Sequence, residues 1–259
     1  INSGVSRWHN YYVEGISWLV KHVGIDGLYL DDVAFDRTTM KRVKRVLVQE
    51  GRPGIVDLHS ANQYNERDGY INSAMLYLEH FPYLNRLWFG EYFDYEKSSA
   101  DFFLTEVSGI PFGLMGEMLQ DGGNPWRGMV YGMTNRMPWS AAADPRPLWK
   151  LWDDFGMKGS AMLGYWAPSV PVTTGREDVK ATVYVQNGRA VVAMASWAPD
   201  TVTVTLAIDW KTLGLERHRT AMRFPEIRGL QAAGLVDAAK GITIAPGKGA
   251  IVRLDRAVP

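Results

Sequence analysis

The sequence contains no cysteine, which excludes disulfide bridges and thiolate metal ligands. It also has no surplus of charge, because 28 Lys and Arg residues balance 28 Asp and Glu residues. Without a basic field, nucleic acid and an anionic membrane surface are not expected partners. No apolar run reaches the ~18 residues that a membrane-spanning helix needs, and no secretory signal is visible. The 259 residues suffice for one large domain, or for a medium domain with a small companion.

One stretch organises the first half of the chain. Four mostly apolar residues, 27–30, lead directly into two adjacent carboxylates, Asp31 and Asp32. An apolar run without alternation is typical of a strand that is covered on both faces. A helical pattern follows at residues 37–50, and a second short strand follows at residues 55–58. Strand, helix and strand with short links predict a β-α-β unit with parallel pairing and a right-handed crossover.

The remaining strand candidates predict a barrel of which part is missing. Five strands are expected to end near Leu30, Leu58, Gly90, Gly116 and Tyr165. A complete (β/α)8 barrel needs eight strands and ~250 residues, whereas roughly 170 residues are available here before the texture changes. The fold class is therefore α/β, with residues 1–170 forming a (β/α)8-type catalytic region. We expect its first strands to come from a missing N-terminal segment or a second chain, the alternative being a reduced variant.

Strand signals dominate after a linker-like stretch at residues 168–175. Two apolar runs flank Asn187-Gly188, a pair that supplies the positive φ values of a type I′ hairpin turn. Residues 242–254 are interpreted as a closing hairpin around a Pro-Gly turn. Residues 176–259 are therefore predicted to form a small antiparallel β-sandwich domain.

Candidate catalytic groups are the acids at the ends of the predicted parallel strands. In parallel barrels the reacting groups lie at the carboxyl ends of the strands, where the sequence places Asp31, Asp32 and Glu91. Cleavage of a glycosidic bond needs two carboxyl groups, one to protonate the leaving oxygen and one to attack or to activate water or a neighbouring group. Because successive side chains of a strand point to opposite faces, only one of Asp31 and Asp32 needs to face the cleft. The aromatic neighbours of Glu91 suit a general acid.

Further polar and aromatic side chains near the predicted strand ends are candidates for substrate binding. Exposed aromatic rings give flat platforms for the C–H faces of sugars, although core filling is the competing interpretation for each ring. The candidates are His59, Asn62, Glu79, Trp88, Glu117, Trp126, Arg127, Trp139 and Trp166. No metal-ligand spacing is present, so neither a metal nor another cofactor is expected.

These residues resemble the catalytic portion of TIM-barrel glycoside hydrolases. The similar parts are Gly-Ile-Asp-Gly-Leu-Tyr-Leu-Asp-Asp (24–32), Asp-Leu-His-Ser-Ala-Asn (57–62) and Trp-Phe-Gly-Glu-Tyr-Phe (88–93). The resemblance is strongest to bacterial proteins grouped near glycoside hydrolase family 123, and it extends more distantly to the α-galactosidase clan. The last part of the chain is similar to the C-terminal β-sandwiches of such enzymes.

The two relatives imply different roles for the acids. In family 123 an adjacent Asp-Glu pair assists attack by the substrate's own N-acetyl group, and Asp31-Asp32 departs from that pair. In the α-galactosidase clan the nucleophile ends the fourth strand and the acid/base ends the sixth. If residues 28–30 are the fourth strand, Asp31 or Asp32 and Glu91 take those places.

The sequence therefore predicts a glycoside hydrolase that acts on an oligo- or polysaccharide. Two alternatives stay open: a carbohydrate-binding protein with a degenerate site, and a different barrel enzyme such as a lyase or a metal-assisted hydrolase. If the protein degrades polysaccharides in a bacterium, a periplasmic or secreted location is expected rather than a cytoplasmic one.

Overall fold

The computed structural model describes residues 6–31, 35–59, 74–88, 97–102, 104, 115–116, 123–133 and 144–256. These residues form two compact units. The first unit lies within Ile1–Phe93 and Asp101–Met118, and the second lies within Asp94–Ala100 and Leu119–Pro259. None of the described helices is long and apolar enough to cross a membrane.

The elements are numbered in chain order. The described helices are α1 (Arg7–His22), α2 (Arg37–Gln49), α3 (Ala100–Phe102), α4 (Pro125–Val130) and α5 (Arg146–Phe155), with 3₁₀ helices at Ala74–Tyr83, Met157–Gly159 and Arg217–Arg219. The strands of the first unit are β1 (Gly27–Asp31), β2 (Ile55–His59), β3 (Arg86–Trp88) and β4 (Met115–Gly116). Those of the second unit are β5 (Ala161–Leu163), β6 (Val172–Thr173), β7 (Val179–Gln186), β8 (Arg189–Ser196), β9 (Val202–Val204), β10 (Ala207–Ile208), β11 (Thr220–Phe224), β12 (Gly234–Leu235), β13 (Ile242–Ile244) and β14 (Gly249–Arg256).

The first unit contains a parallel sheet in the order β1-β2-β3-β4. Its predicted β-α-β unit is confirmed, with α2 connecting the parallel strands β1 and β2. Side chains cap α1 and α2 at their starts: the Ser6 side chain accepts a hydrogen bond from His9 N, and the Asp36 side chain accepts one from Thr39 N. Gly24, at φ 81°, follows the end of α1 and turns the chain toward β1.

Alternation divides β1 and β2 into an apolar face and a polar face. Leu30 and Leu58 are in register and buried, and they belong to the apolar face. Tyr29 and Asp31 lie on the opposite face of β1, because successive side chains of a strand alternate. The two strands start very close together: a Cβ on Gly27 would lie 2.2 Å from the Ile55 carbonyl oxygen. Glycine at this position therefore permits the register that brings the two strand ends side by side.

Helix α1 buries one side and exposes several large aromatic side chains. Its buried side is formed by His9, Val13, Ile16 and Val20. Trp8 is 60% exposed, and Tyr11 and Trp18 are exposed as well. A helix of this kind leaves unusually large apolar side chains at the surface of the first unit.

The second unit is built on a six-stranded antiparallel sheet in the order β12-β11-β14-β8-β7-β5. Both faces of its central strands are buried. One face packs in a core with β9 and β13, represented by Val192, Val204 and Ile244. The other face packs against α4 and α5, represented by Val191 and Phe155. The antiparallel C-terminal domain is thus confirmed, and its central hairpin has the predicted turn, with φ 38° at Asn187 and 76° at Gly188.

Two strand interpretations were wrong. Residues 161–166 were expected to contain the last barrel strand, but β5 pairs antiparallel with β7 in the six-stranded sheet. Residues 242–254 were expected to form a hairpin, but β13 pairs with β9, whereas β14 pairs with β8 and β11. Both errors concern pairing partners that are distant in sequence, which local patterns do not encode. The linker-like stretch also contains a short strand, β6, which pairs with β10.

Candidate functional site

The carboxyl ends of β1 and β2 bring two of the predicted site residues together. Asp31 and His59 are direct neighbours in the parallel register, and His59 Nδ1 lies 2.9 Å from Asp31 Oδ1. Because an ionised carboxylate can only accept, the imidazole donates from Nδ1 in this pair. The Asp31 side chain is 66% exposed and that of His59 is 19% exposed. The imidazole therefore holds one carboxylate oxygen in place while the carboxylate stays open to solvent.

A second group of polar side chains lies two residues earlier along the strands, on the same face of the sheet. Asp57 and Arg86 are in register on β2 and β3, and the Arg86 guanidinium donates to Asp57 Oδ2 from Nε at 3.0 Å and Nη2 at 2.5 Å. Tyr29 pairs with Asp57 in the register, and its ring centroid is 6.3 Å from that of His59. Sequence reasoning did not select Tyr29, Asp57 or Arg86 as site residues. Counting back by two from Asp31 and His59 would have found the first two.

A row of aromatic rings connects α1 with the segment that follows β1. Trp8 stacks on Tyr12 at 5.5 Å between centroids, Tyr12 approaches Phe35 at 5.6 Å, and Phe35 meets the edge of His80 at 6.1 Å. Burial raises the pKa of the Tyr12 hydroxyl. The row ends in an exposed indole, a surface suited to the apolar face of a sugar ring. Sequence reasoning did not select Trp8 as a site residue.

Glu79 and His80 form a pair in which Glu79 is exposed and His80 is buried. His80 is buried, and its Nε2 lies 3.8 Å from the exposed Glu79 carboxylate. Burial lowers the pKa of His80, although the Glu79 carboxylate opposes that shift. Arg37, at the start of α2, donates to the Tyr83 hydroxyl at 3.2 Å. Glu79 thus lies in a polar group around the ends of α2 and the following 3₁₀ helix.

Several predicted residues fall where the structure gives no side-chain position. Asp32, Asn62, Glu91, Glu117 and Trp139 lie outside the described residues. Trp88 is described through its backbone, which is in register with His59 at the end of β3. The sheet therefore brings the Asp31, His59 and Trp88 positions to adjacent strand ends.

Trp126 and Arg127 lie in the interior of the second unit. Trp126 is 7% exposed and packs in the core beneath the antiparallel sheet. Arg127 is 3% exposed, donates to the Ser196 carbonyl at 3.0 Å, and lies 4.5 Å from the Trp197 ring centroid. Both residues belong to helix α4, which is capped by Asn124. Side chains buried to this degree offer no surface to a sugar.

Trp166 is half-buried in the second unit, and its ring centroid lies 5.2 Å from that of Tyr165 in a T-shaped arrangement. Lys180 lies over the other ring of this pair, 5.0 Å from the Tyr165 centroid. In the described part of the chain, no group of three or more His, Asp or Glu residues is arranged to hold a metal ion.

The fold is similar to those of several solved structures. The chain is similar to a family 27 β-L-arabinopyranosidase from Geobacillus stearothermophilus, with a TM-score of 0.51 and 14% identity over 96% of this chain and 62% of that one. It is also similar to an Anoxybacillus α-amylase, with a TM-score of 0.57 and 11% identity over 97% and 63% of the two chains. It is similar as well to a noncanonic maltogenic α-amylase from Thermotoga neapolitana, with a TM-score of 0.54 and 11% identity over 96% of this chain and 66% of that one.

At these identities the likeness concerns the fold. The chain spans less than two thirds of the length of each of these three structures. No curated protein matches the sequence at a significant level.

Family models cover nearly the whole sequence. The TIM-barrel domain of glycoside hydrolase 123 matches residues 1–138, and the C-terminal domain of the same family matches residues 144–255. The first match contains the β1 and β2 ends that carry Asp31 and His59, and the second contains the six-stranded antiparallel sheet. The chain therefore belongs to glycoside hydrolase family 123.

Proposed function

We propose that the protein hydrolyses glycosidic bonds in an oligo- or polysaccharide, with Asp31 as one of its two catalytic carboxyl groups. The observation that carries this proposal is the 2.9 Å hydrogen bond between Asp31 and His59 at the carboxyl edge of a parallel sheet. That edge is where barrel enzymes hold their reacting groups. Membership of a glycoside hydrolase family supports the class of reaction.

Asp31 is proposed to act as the anionic member of the pair. Its Oδ1 accepts the bond from His59, and among the described residues the carboxylate forms no other hydrogen bond or ion pair. Oδ2 is therefore available to the anomeric centre or to a neighbouring group of the substrate. A fixed carboxylate there either attacks the anomeric carbon or stabilises the positive charge that develops on the sugar. His59 acts as a positioning residue, because it orients the carboxylate without contacting the reacting atoms.

The second carboxyl group, which protonates the leaving oxygen, is proposed to be Asp32 or Glu91. Asp32 follows Asp31 directly, and Glu91 follows the end of β3, the strand beside β2. The remaining candidates for contacts with the sugar are Asn62, Glu79, Trp88, Glu117, Trp139 and Trp166. The burial of Trp126 and Arg127 argues against a direct contact with substrate.

We further propose that the described parallel strands belong to a (β/α)8-type barrel whose other strands are supplied beyond β1, by another segment or a second chain. Within the described residues, β1 is an edge strand, and its Tyr29 is 52% exposed. The preceding helix exposes Tyr11 and Trp18. Exposed edges and large apolar side chains of this kind indicate a surface that another element covers.

Hydrogen exchange tests the proposal on the barrel. If further strands pair with β1 in the assembled protein, its outward-facing amides exchange slowly there and rapidly in the 259-residue chain alone. Equal and rapid exchange at β1 in both samples would rule out pairing beyond this strand.

The catalytic proposal is tested by Asp31→Asn with Asp26→Asn as the matched control. Both carboxylates are exposed and flank the same strand, but Asp26 pairs with Arg52 at the opposite end. Across a panel of aryl glycosides with and without N-acetyl groups, Asp31→Asn is expected to lower kcat/KM by at least about 100-fold, the scale of losing a catalytic carboxyl group. Asp26→Asn should retain full activity. Equal activity of the two variants would remove Asp31 from the mechanism.

The second candidate function is carbohydrate binding without turnover. It is favoured by Asp32, which stands where the adjacent acidic pair typical of the family ends in Glu. Under this alternative the unaltered protein binds oligosaccharides in calorimetry but hydrolyses no member of the glycoside panel. Turnover that depends on Asp31 would exclude it.

A further inference from the structure

The second unit contains an open cleft that the proposed reaction does not use. Its volume is about 710 Å³, within the ~300–1,000 Å³ range of small-ligand sites. Helix α5 forms one wall, and the ends of β11 and β14 with the segment after β11 form the other. Leu151, Phe224 and two prolines supply apolar surface, and charged side chains line the rest.

The charges of this cleft are unbalanced, although the whole chain has no net charge. The lining includes five basic residues, Arg146, Lys150, Arg223, Arg228 and Arg253, against three acidic ones, Asp154, Glu226 and Asp255. An excess of positive charge in a concave site raises the local concentration of anions. The cleft thus favours a negatively charged ligand over a neutral one.

Two arginines lie side by side at the centre of the positive charge. Arg223 on β11 and Arg253 on β14 are direct partners in the antiparallel register, so their side chains emerge on the same face of the sheet. Like charges directly opposite one another are destabilising in a sheet unless an anion is shared between them. This is the face on which α5 packs, since Ile251 on the same side of β14 belongs to the core formed with Phe155.

The hydrogen-bonding capacity of the two guanidinium groups is largely unused. Arg253 is 26% exposed and donates to Asp255 from Nη2 at 3.0 Å, while its buried Nε has no hydrogen-bond partner among the described residues. Arg223 is exposed and forms no ion pair within the described part of the chain. Since a guanidinium offers five donors in a planar fork, the pair can bind a carboxylate or sulfate group in a bidentate manner.

The other cations of the cleft are engaged in local pairs at its rim. Arg146 and Arg228 share the Asp144 carboxylate, at 2.7 Å and 3.3 Å, and the Arg146 guanidinium holds the pKa of Asp144 at about 2. Lys150 pairs with Asp154 at 2.8 Å, one helical turn away. Exposed pairs of this kind are weak and exchange readily with a competing anion. They add little net charge, so the ligand contacts are assigned to Arg223 and Arg253.

We propose that this cleft is an accessory binding site for an acidic saccharide, in which Arg223 and Arg253 hold a carboxylate or sulfate group and the apolar wall of Pro147, Leu151 and Pro225 carries the sugar ring. The anionic group is inferred from the arginine pair and the charge excess, and the ring from the apolar wall. That the ligand is a saccharide rests on the proposed glycoside hydrolase function. The site anchors a charged polysaccharide on the second unit independently of the groups that cleave it.

Calorimetry with three oligosaccharides of equal length, one uronic, one sulfated and one neutral, tests the site in the complete chain. At low salt, Arg223→Glu is expected to weaken binding of an acidic oligosaccharide at least tenfold, a loss equivalent to about 1.4 kcal/mol. Arg253→Met should weaken it as well. The control is Arg219→Glu, which changes the net charge equally at an exposed arginine outside the cleft and should leave the affinity unchanged.

The arms of this experiment separate the possible outcomes. Preference for the uronic or the sulfated oligosaccharide identifies the anionic group, and weakening by salt is expected for either. Equal affinities of Arg223→Glu and Arg219→Glu, equal binding of the neutral oligosaccharide, or binding of inorganic sulfate alone would overturn the proposal. Hydrolysis of a small aryl glycoside is measured in parallel. If the unaltered protein binds the acidic oligosaccharide in the cleft but hydrolyses no glycoside, only the proposed function is contradicted. If it hydrolyses the glycoside but does not bind in the cleft, only the accessory site is contradicted.

Discussion

The two sheets of this protein use the same alternation of side chains for opposite purposes. In the six-stranded antiparallel sheet both faces of the central strands are buried: Val191 and Val192, adjacent on β8, belong to two different apolar cores. In the parallel sheet one face is apolar, with Leu30 and Leu58 buried, and the other carries Asp31 and His59. Burying charged groups inside the antiparallel sheet would cost free energy, whereas the parallel sheet holds them at an open face.

This difference separates the contributions of the two sheets in this protein. A sheet buried on both faces gains stability from packing and carries no reacting groups there. A sheet with one polar face gives up part of that stability and gains ordered polar side chains at its edge. The predictions below test this contrast, in order of decreasing effect.

Arg86→Met should give the largest loss of stability, and the loss should be confined to the first unit. It leaves the Asp57 carboxylate, whose side chain is 11% exposed, without the guanidinium that neutralises it. Breaking a fully buried ion pair costs roughly 3–5 kcal/mol, and since Arg86 itself is 42% exposed we expect about 2 kcal/mol here. Urea unfolding followed by exchange at the β2 amides measures this loss.

The double variant Asp57→Asn with Arg86→Met provides the control. Removing the charge together with its partner should recover part of the lost stability, because no unpaired carboxylate is left. The single variant Asp57→Asn is measured as well. If the double variant is less stable than Arg86→Met by the full amount that Asp57→Asn costs alone, the two groups act independently.

Glycine substitutions should have opposite signs in the two units. At Gly188 the backbone has φ 76° in the central hairpin, so Gly188→Ala is expected to destabilise the second unit by about 1 kcal/mol. At Gly15, inside α1, a new Cβ meets no atom within 4 Å, so Gly15→Ala is expected to stabilise the first unit by about 0.5–1 kcal/mol. Thermal unfolding of both variants decides the signs. Destabilisation by Gly15→Ala would show that α1 packs more tightly there than described.

Mild acid should weaken the first unit slightly through His80. Its folded pKa is lowered by burial from the ordinary value of 6.5, so below pH 6.5 the unfolded state binds more protons than the folded one. The contribution of His80 is therefore complete above that pH, and it decreases as the pH falls toward the folded pKa. His80→Gln should show a flatter fall in stability between pH 7 and 5. Identical pH profiles would mean that His80 is not buried in its neutral form.

Local patterns in the sequence were sufficient for part of the fold and part of the site. The apolar run before Asp31 predicted a parallel strand, and Asn187-Gly188 predicted a hairpin, because each depends on residues close in the chain. The order of strand, helix and strand predicted that Asp31 and His59 lie at the ends of two parallel strands. For these elements, sequence and structure agree because the determining interactions are local.

Long-range contacts explain what the sequence did not predict. The partners of β5 and β13 are set by packing over more than ten residues of chain, and the burial of Trp126 follows from the docking of α4 on the antiparallel sheet. The pair between Asp57 and Arg86 joins two strands 29 residues apart. Nothing in the local composition distinguishes a tryptophan that covers a sheet from one that binds a sugar.

The most direct test of the central claim is a double-mutant cycle between Asp31 and His59 in hydrolysis. If His59 acts by positioning Asp31, His59→Ala lowers kcat with little change in KM, His59→Gln restores part of the loss by donating from its amide, and the double variant is no slower than Asp31→Asn alone. Losses in kcat/KM that multiply in the double variant would contradict this account, because they would mean that the two side chains act on the substrate separately.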